Sequence, residues 1–220
     1  MKLHNLNIKK ELPILLISIL PLVYLALIWK DLPDIVPTHW NINGKIDRTG
    51  PKETLILFST LIGLGSYITL TLAPYTKRTV WINTMGDKYT NFKFALIALL
   101  STLNLFIIHS VKVTKVESTF LLLIIGAMFT ILGNFMPILK ANYFVGIRIP
   151  STLKSKENWK HTHRFASKLW IIGGITTIIL ALIIEDKFNI YLLLATSITL
   201  CVLPIIYSIR FQSKNRFNQP

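Results

Sequence analysis

The chain is poor in the residues that would tie it down covalently or let it do acid–base work at depth. It has a single cysteine, Cys201, in 220 residues, so no intrachain disulfide is available. Cys201 reads as a small buried apolar residue. Acidic residues are also scarce, 10 against 24 Lys and Arg, and none sits well inside an apolar run. Proton-coupled pumps usually place a carboxylate there. There is no Walker loop, nucleophile elbow, zinc-protease His-Glu-x-x-His or haem motif. The chain therefore reads as a non-enzyme with no cofactor. A metal centre has little to build on. Only Asp47 and Asp34 stand near His39, and His161 and His163 are two apart, which places them on different faces of a helix.

What the chain has in abundance is apolar length. Hydrophobic residues make up 52% of it, and its mean hydropathy is +0.53. Six apolar runs lie near 12–29, 54–74, 94–111, 118–137, 169–184 and 190–209. A bilayer core about 30 Å thick needs roughly 17–25 mostly apolar residues per helix. Four runs meet this, and those at 94–111 and 169–184 are marginal. Lipid leaves backbone groups no partner outside the segment, so each run is predicted to be a helix. The fold class is thus an all-α integral membrane protein with six transmembrane helices. The first run follows Lys2, Lys9 and Lys10 but ends in Trp29-Lys30-Asp31 without a small-x-small cleavage site, so it reads as a retained span.

The formal net charge of +14 raises the question of nucleic acid, but the basic residues are spread by topology rather than gathered in a patch. With an inside N-terminus and six spans, 17 of the 24 basic residues fall on the inner side. The positive-inside rule then places both termini in the cytoplasm. The basic residues meet lipid head groups, and no direct nucleic-acid binding is expected.

Two polar segments interrupt the runs. The first, 30–53, is predicted to lie outside as a short extended or hairpin-like loop. Pro33 and Pro37 block a helix, Ile35-Val36 and Thr38-His39-Trp40 favour extended chain, and Asn43-Gly44 is a tight-turn signal. Its candidate ligand-facing residues are His39, Trp40, Asn41, Asn43 and Gly44. Two readings stand: a peptide-binding or pH-sensing surface, or an interfacial tryptophan anchor beside a turn-capping histidine. The second segment, 138–168, is predicted to be a cytoplasmic loop, and its candidates are Asn134, Pro137, Asn142, Gly146, Arg148, Pro150, Trp159, His163 and Arg164. Asn134 is a polar group near a span end and needs a partner. A helix is expected to begin at Ser155 as its cap, with Trp159 and His163 on one face. Here too a bland reading stands, an interfacial helix with snorkelling basic side chains. Asn104 and His109 are further polar candidates at depth. Loop 75–93 is predicted to be a short helix plus turn, and the tail 211–220 to be disordered.

Both polar segments resemble known signatures. Leu32-Pro33-Asp34-Ile35-Val36-Pro37-Thr38-His39-Trp40-Asn41-x-x-Gly44, with Asp47 and Lys52, resembles a small bacterial membrane domain of unassigned function. Gly133-Asn134-x-Met136-Pro137 through Asn142, Gly146-Ile147-Arg148-x-Pro150, Trp159, His163-Arg164, Trp170 and Gly173 resembles the SdpI family. Three positions depart from that family's pattern: Ile149-Pro150-Ser151 stands where Thr-Pro-Trp is usual, and Ile138 where a lysine is usual. The resemblance implies a multi-pass protein of the bacterial plasma membrane that protects its cell from a secreted membrane-active peptide toxin. The best-known relatives also capture a repressor protein at the membrane. It divides the chain into an N-terminal two-helix domain, 12–75, and a four-helix domain, 94–210. The alternative function is a membrane enzyme or transporter acting on a lipid or small anionic ligand, with Asn134, Arg148, His163 and Arg164 around the anionic group.

Overall fold

The computed structural model describes residues 7–41, 45–76, 82–83, 85–113, 117–143 and 145–216. Six helices in it are long and apolar enough to cross a membrane: Ile8–Asp31, Glu53–Tyr75, Asp87–Val113, Ser118–Ile138, Lys156–Ala181 and Asp186–Lys214. Their flanks carry large exposed apolar side chains such as Leu16, Leu27, Ile172 and Ile198. In water such surface would drive aggregation, and in a bilayer it faces lipid.

The chain divides into two compact units, Met1–Ile124 and Ile125–Pro220. The first unit begins with α1 (Ile8–Ile28), whose Asn7 side chain caps it by accepting from the Lys9 N–H. Strands β1 (Ile35–Trp40) and β2 (Ile46–Pro51) then pair antiparallel, so the extended segment is a true hairpin. The register slips on both sides of His39, next to Pro37, which has no N–H to give a ladder. Asn43 and Gly44 lie outside the described residues. The second span is α2 (Glu53–Thr60) and α3 (Ser66–Leu72), joined by a π-helical turn at Leu61–Gly65. A Cβ on Gly63 would collide with the Ser18 carbonyl of α1, so glycine permits the close crossing there. Helix α4 (Asp87–Val113) packs along α1, with the Ser101 hydroxyl bonded to the Ile17 carbonyl at 2.9 Å.

Helix α5 (Ser118–Phe135) leads into the second unit. There a short α6 (Pro150–Leu153) precedes α7 (Lys156–Ala181) and α8 (Asn189–Arg216). Small residues set the packing. A Cβ on Gly126 would lie 2.7 Å from Ile178 Cγ1, and one on Gly173 would lie 2.8 Å from Leu200 Cδ2. Trp170 stands edge-on to Phe129 at 5.4 Å and donates its indole N–H to the Leu200 carbonyl at 3.0 Å.

Four expectations need correcting. Residues 87–93 are the first two turns of α4, not a separate loop helix, because Lys93 is buried in an ion pair and draws that end into the packed unit. The interfacial helix expected from Ser155 and the span expected at 169–184 are one continuous helix, α7. Residues 211–216 extend α8 instead of forming a disordered tail. Cys201 is exposed on α8, not buried.

Candidate functional site

Two polar sites emerge, one in each unit. The hairpin of the first unit sits on an apolar cluster of Leu25, Ile28, Leu32, Val36, Leu55, Ile108 and Val111, with Tyr24, Trp29 and Trp40 packed against it. Val36 points inward and is fully buried, while His39, one face over, is exposed. Its base is pinned by Lys52, which bonds Asp34 at 2.9 Å and lies 5.2 Å from the Trp29 ring centroid. On the exposed face, His39 Nδ1 meets Asp47 Oδ1 at 2.6 Å across the strands. Asn41 closes the turn, its Oδ1 accepting from the Lys45 N–H at 3.0 Å. The histidine therefore does not cap a turn, because its partner is a carboxylate on the opposite strand. Beneath the hairpin, Trp40 lines a cavity that also reaches Ser59 and Asn104. Ser59 Oγ donates to Asn104 Oδ1 at 3.0 Å. His109 lines a larger cavity of about 490 Å³ with Tyr24, whose hydroxyl is 3.4 Å from His109 Nδ1.

The second site is the loop between α5 and α7, and nearly every signature residue in it has a structural partner. Met136–Ile138 form a tight turn with Pro137 in its first residues, which ends α5. Asn134 is exposed on the last turn of α5. Asn142 braces the loop: its amide donates to the Lys140 and Val145 carbonyls, and its Oδ1 accepts from the Val145 N–H. Gly146 adopts φ +113°, and a Cβ there would lie 2.5 Å from His163 Nε2 and 3.1 Å from the Trp159 ring. Only glycine lets the backbone fold this tightly over those rings. His163 is buried and stacks on Trp159 with ring centroids 4.1 Å apart. Its Nε2 accepts the Ile147 N–H at 3.1 Å, so its proton is on Nδ1, which donates to the Trp159 carbonyl at 2.9 Å. Trp159 Nε1 in turn donates to the Leu139 carbonyl at 2.8 Å. The Arg148 guanidinium reaches the Tyr143 carbonyl at 2.7 Å. Pro150 opens α6, whose Thr152 hydroxyl accepts from the Ile149 N–H.

With both ring nitrogens occupied, His163 is not free to hold an anionic head group. It latches the loop to α7. Arg148 and Arg164 are exposed, as are Lys140, Lys154, Lys156 and Lys160 of the same segment.

Two clusters escaped sequence reasoning. In the second unit, Asn158, Thr162, Ser151 and Ser208 form a buried network. Thr162 and Ser208 hydroxyls donate to Asn158 Oδ1 at 2.8 and 2.9 Å, and the Asn158 amide donates to the Ser208 carbonyl at 3.0 Å. Ser208 has spent its proton, so Ser151 donates to it at 2.7 Å. The signal was present, since Asn158 and Thr162 share a helix face, but their partner is 50 residues away on α8. The network also accounts for the departure at Ser151, since this buried position takes a small hydroxyl residue. In the first unit, Lys93 Nζ bonds both carboxylate oxygens of Glu11 at 2.5 and 2.6 Å, and Tyr67 donates to Glu11 at 3.2 Å. The lysine side chain is 2% exposed. Among the described residues no group of three or more His, Cys, Asp or Glu is placed to hold a metal ion.

Six apolar helices, a polar hairpin and a latched polar loop define a polytopic helical membrane protein. Its residues 138–208 match the SdpI/YfhL protein family, and residues 16–63 match a domain of unknown function (DUF1648). The chain is 26% identical over 176 residues to the Immunity protein SdpI of Bacillus subtilis (strain 168), covering 79% of this chain and 82% of that protein. No solved structure matches it. Together these make the chain a multi-pass protein of the bacterial plasma membrane, with a segment in its second unit that matches the SdpI/YfhL family.

Proposed function

We propose that this chain is a membrane immunity protein that gives its cell resistance to a secreted membrane-active peptide. The observation that carries the reading is the similarity to an immunity protein over 79% of the chain. The two matched segments contain the hairpin and the latched loop. Both termini lie in the cytoplasm in this reading. The hairpin segment then meets the peptide outside, through His39, Trp40, Asn41, Asn43 and Gly44. The loop presents Arg148 and Arg164 to a cytoplasmic repressor. The exposed His39–Asp47 pair supports the outer role. At a surface such a pair adds no more than about 1 kcal/mol to stability, which leaves it accessible to a partner at little cost to the fold.

The test is survival of a sensitive host expressing the chain during challenge with a panel of membrane-active peptides. Wild type is compared with His39→Ala and Arg148→Ala at matched membrane levels. Selective protection by the wild type, lost in His39→Ala, supports the reading. Protection against none of the peptides rejects it. Full protection in both variants rejects the assigned roles.

A further inference from the structure

The hairpin roofs a cavity of about 190 Å³, walled by Pro37 and Trp40 of β1, by Leu55, Ser59 and Ile62 of the second span, and by Asn104 of α4. One atom there stands out. Trp40 Nε1 is buried and has no hydrogen-bond partner among the described residues. A buried indole N–H is normally satisfied, and leaving one bare is costly enough to need a reason. Two other polar side chains of the wall, Ser59 and Asn104, are committed to each other. Ser59 donates to Asn104, and the Asn104 amide reaches back to the Ser59 carbonyl at 3.3 Å. Among the described residues no charged side chain lines the cavity. It is therefore a mainly apolar chamber whose wall residue Trp40 carries a buried, unspent donor.

We propose that this cavity is a binding site for a neutral apolar side chain of an extended peptide, with Trp40 Nε1 donating to a carbonyl of that peptide. The chemistry selects the occupant. A charged group would enter without a counter-charge and lose its hydration. A pure hydrocarbon would leave the indole N–H bare. A capped apolar residue satisfies both halves, and the hairpin beside the cavity is itself extended chain, the form in which a peptide presents alternate side chains. This deepens the immunity reading by naming what part of the peptide is captured, and it rests on that reading for where the peptide comes from.

The test presents the full-length protein in lipid nanodiscs with N-acetyl-phenylalanine amide, N-acetyl-leucine amide, N-acetyl-lysine amide and N-acetyl-glutamate amide. Binding is followed by saturation-transfer NMR. The two neutral amides bind, and the two charged ones bind at least about tenfold more weakly. Trp40→Phe, which keeps one aromatic ring and deletes the indole N–H, weakens binding about fivefold. Ile62→Phe, which fills the chamber and leaves the indole in place, abolishes it. Thermal unfolding confirms that each variant is folded, and if Trp40→Phe is not, Ile62→Phe decides. Equal binding of charged and neutral amides, or wild-type binding by folded Ile62→Phe, overturns the proposal. The survival assay separates the two ideas: undiminished protection by an Ile62→Phe protein overturns the cavity and leaves immunity standing. Amide binding without protection against any peptide does the reverse.

Discussion

Replacing Gly146 by alanine tests whether the signature loop is a latched structure. Two costs arise at once. The residue sits at φ +113°, where a side chain is strained by about 1–3 kcal/mol. The new Cβ would also stand 2.5 Å from His163 Nε2, so the ring or the loop must move. Either movement breaks the Ile147 N–H to His163 bond, which leaves a buried acceptor unmet at about 1–3 kcal/mol. The sum is about 2–6 kcal/mol against the closed loop. At about 1.4 kcal/mol per factor of ten, even the low end raises the open population roughly 30-fold. Amide hydrogen exchange in nanodiscs reads this directly. The amides of Val145 and Ile147 should exchange at least 30-fold faster in Gly146→Ala, while α8 exchanges as in wild type. His163→Ala should produce a similar opening, and the double variant should cost less than the sum, because both changes break one contact. Unchanged exchange at Ile147 in Gly146→Ala would refute the latch.

The buried Lys93–Glu11 pair should be worth more broken than replaced. Lys93→Ala leaves Glu11 uncompensated and should destabilise by about 3–5 kcal/mol, whereas Lys93→Met with Glu11→Leu should recover most of that, as read by denaturant unfolding in detergent. Asn158→Leu removes a side chain that meets Thr162 and Ser208 together. It should lower thermal stability clearly, and Ser208→Ala made in that background should add little, because both remove the same bonds.

The sequence alone was enough for the six spans and for an extended or hairpin-like loop, because both follow from local rules. Lipid forces any sufficiently long apolar run into a helix, and Pro37 with Thr38-His39-Trp40 leaves extended chain as the alternative. The Ser155 cap and the Trp159–His163 face were legible for the same reason, since helix geometry fixes what lies three and four residues apart. Span boundaries were less legible. Lys93 reads as a solvated cation until Glu11, 82 residues earlier, is brought against it. Roles were least legible of all. Asn142 and His163 are candidate contact residues in the sequence, yet each is spent, with Gly146, on holding the loop. Ser208 looks like a minor polar residue of the last span, yet it closes the network on Asn158. Composition and periodicity decide which segments enter the membrane, because the bilayer acts on each segment separately. Which polar groups are satisfied and which remain open, Trp40 Nε1 among them, depends on residues far apart in the chain, and only the tertiary structure decides it.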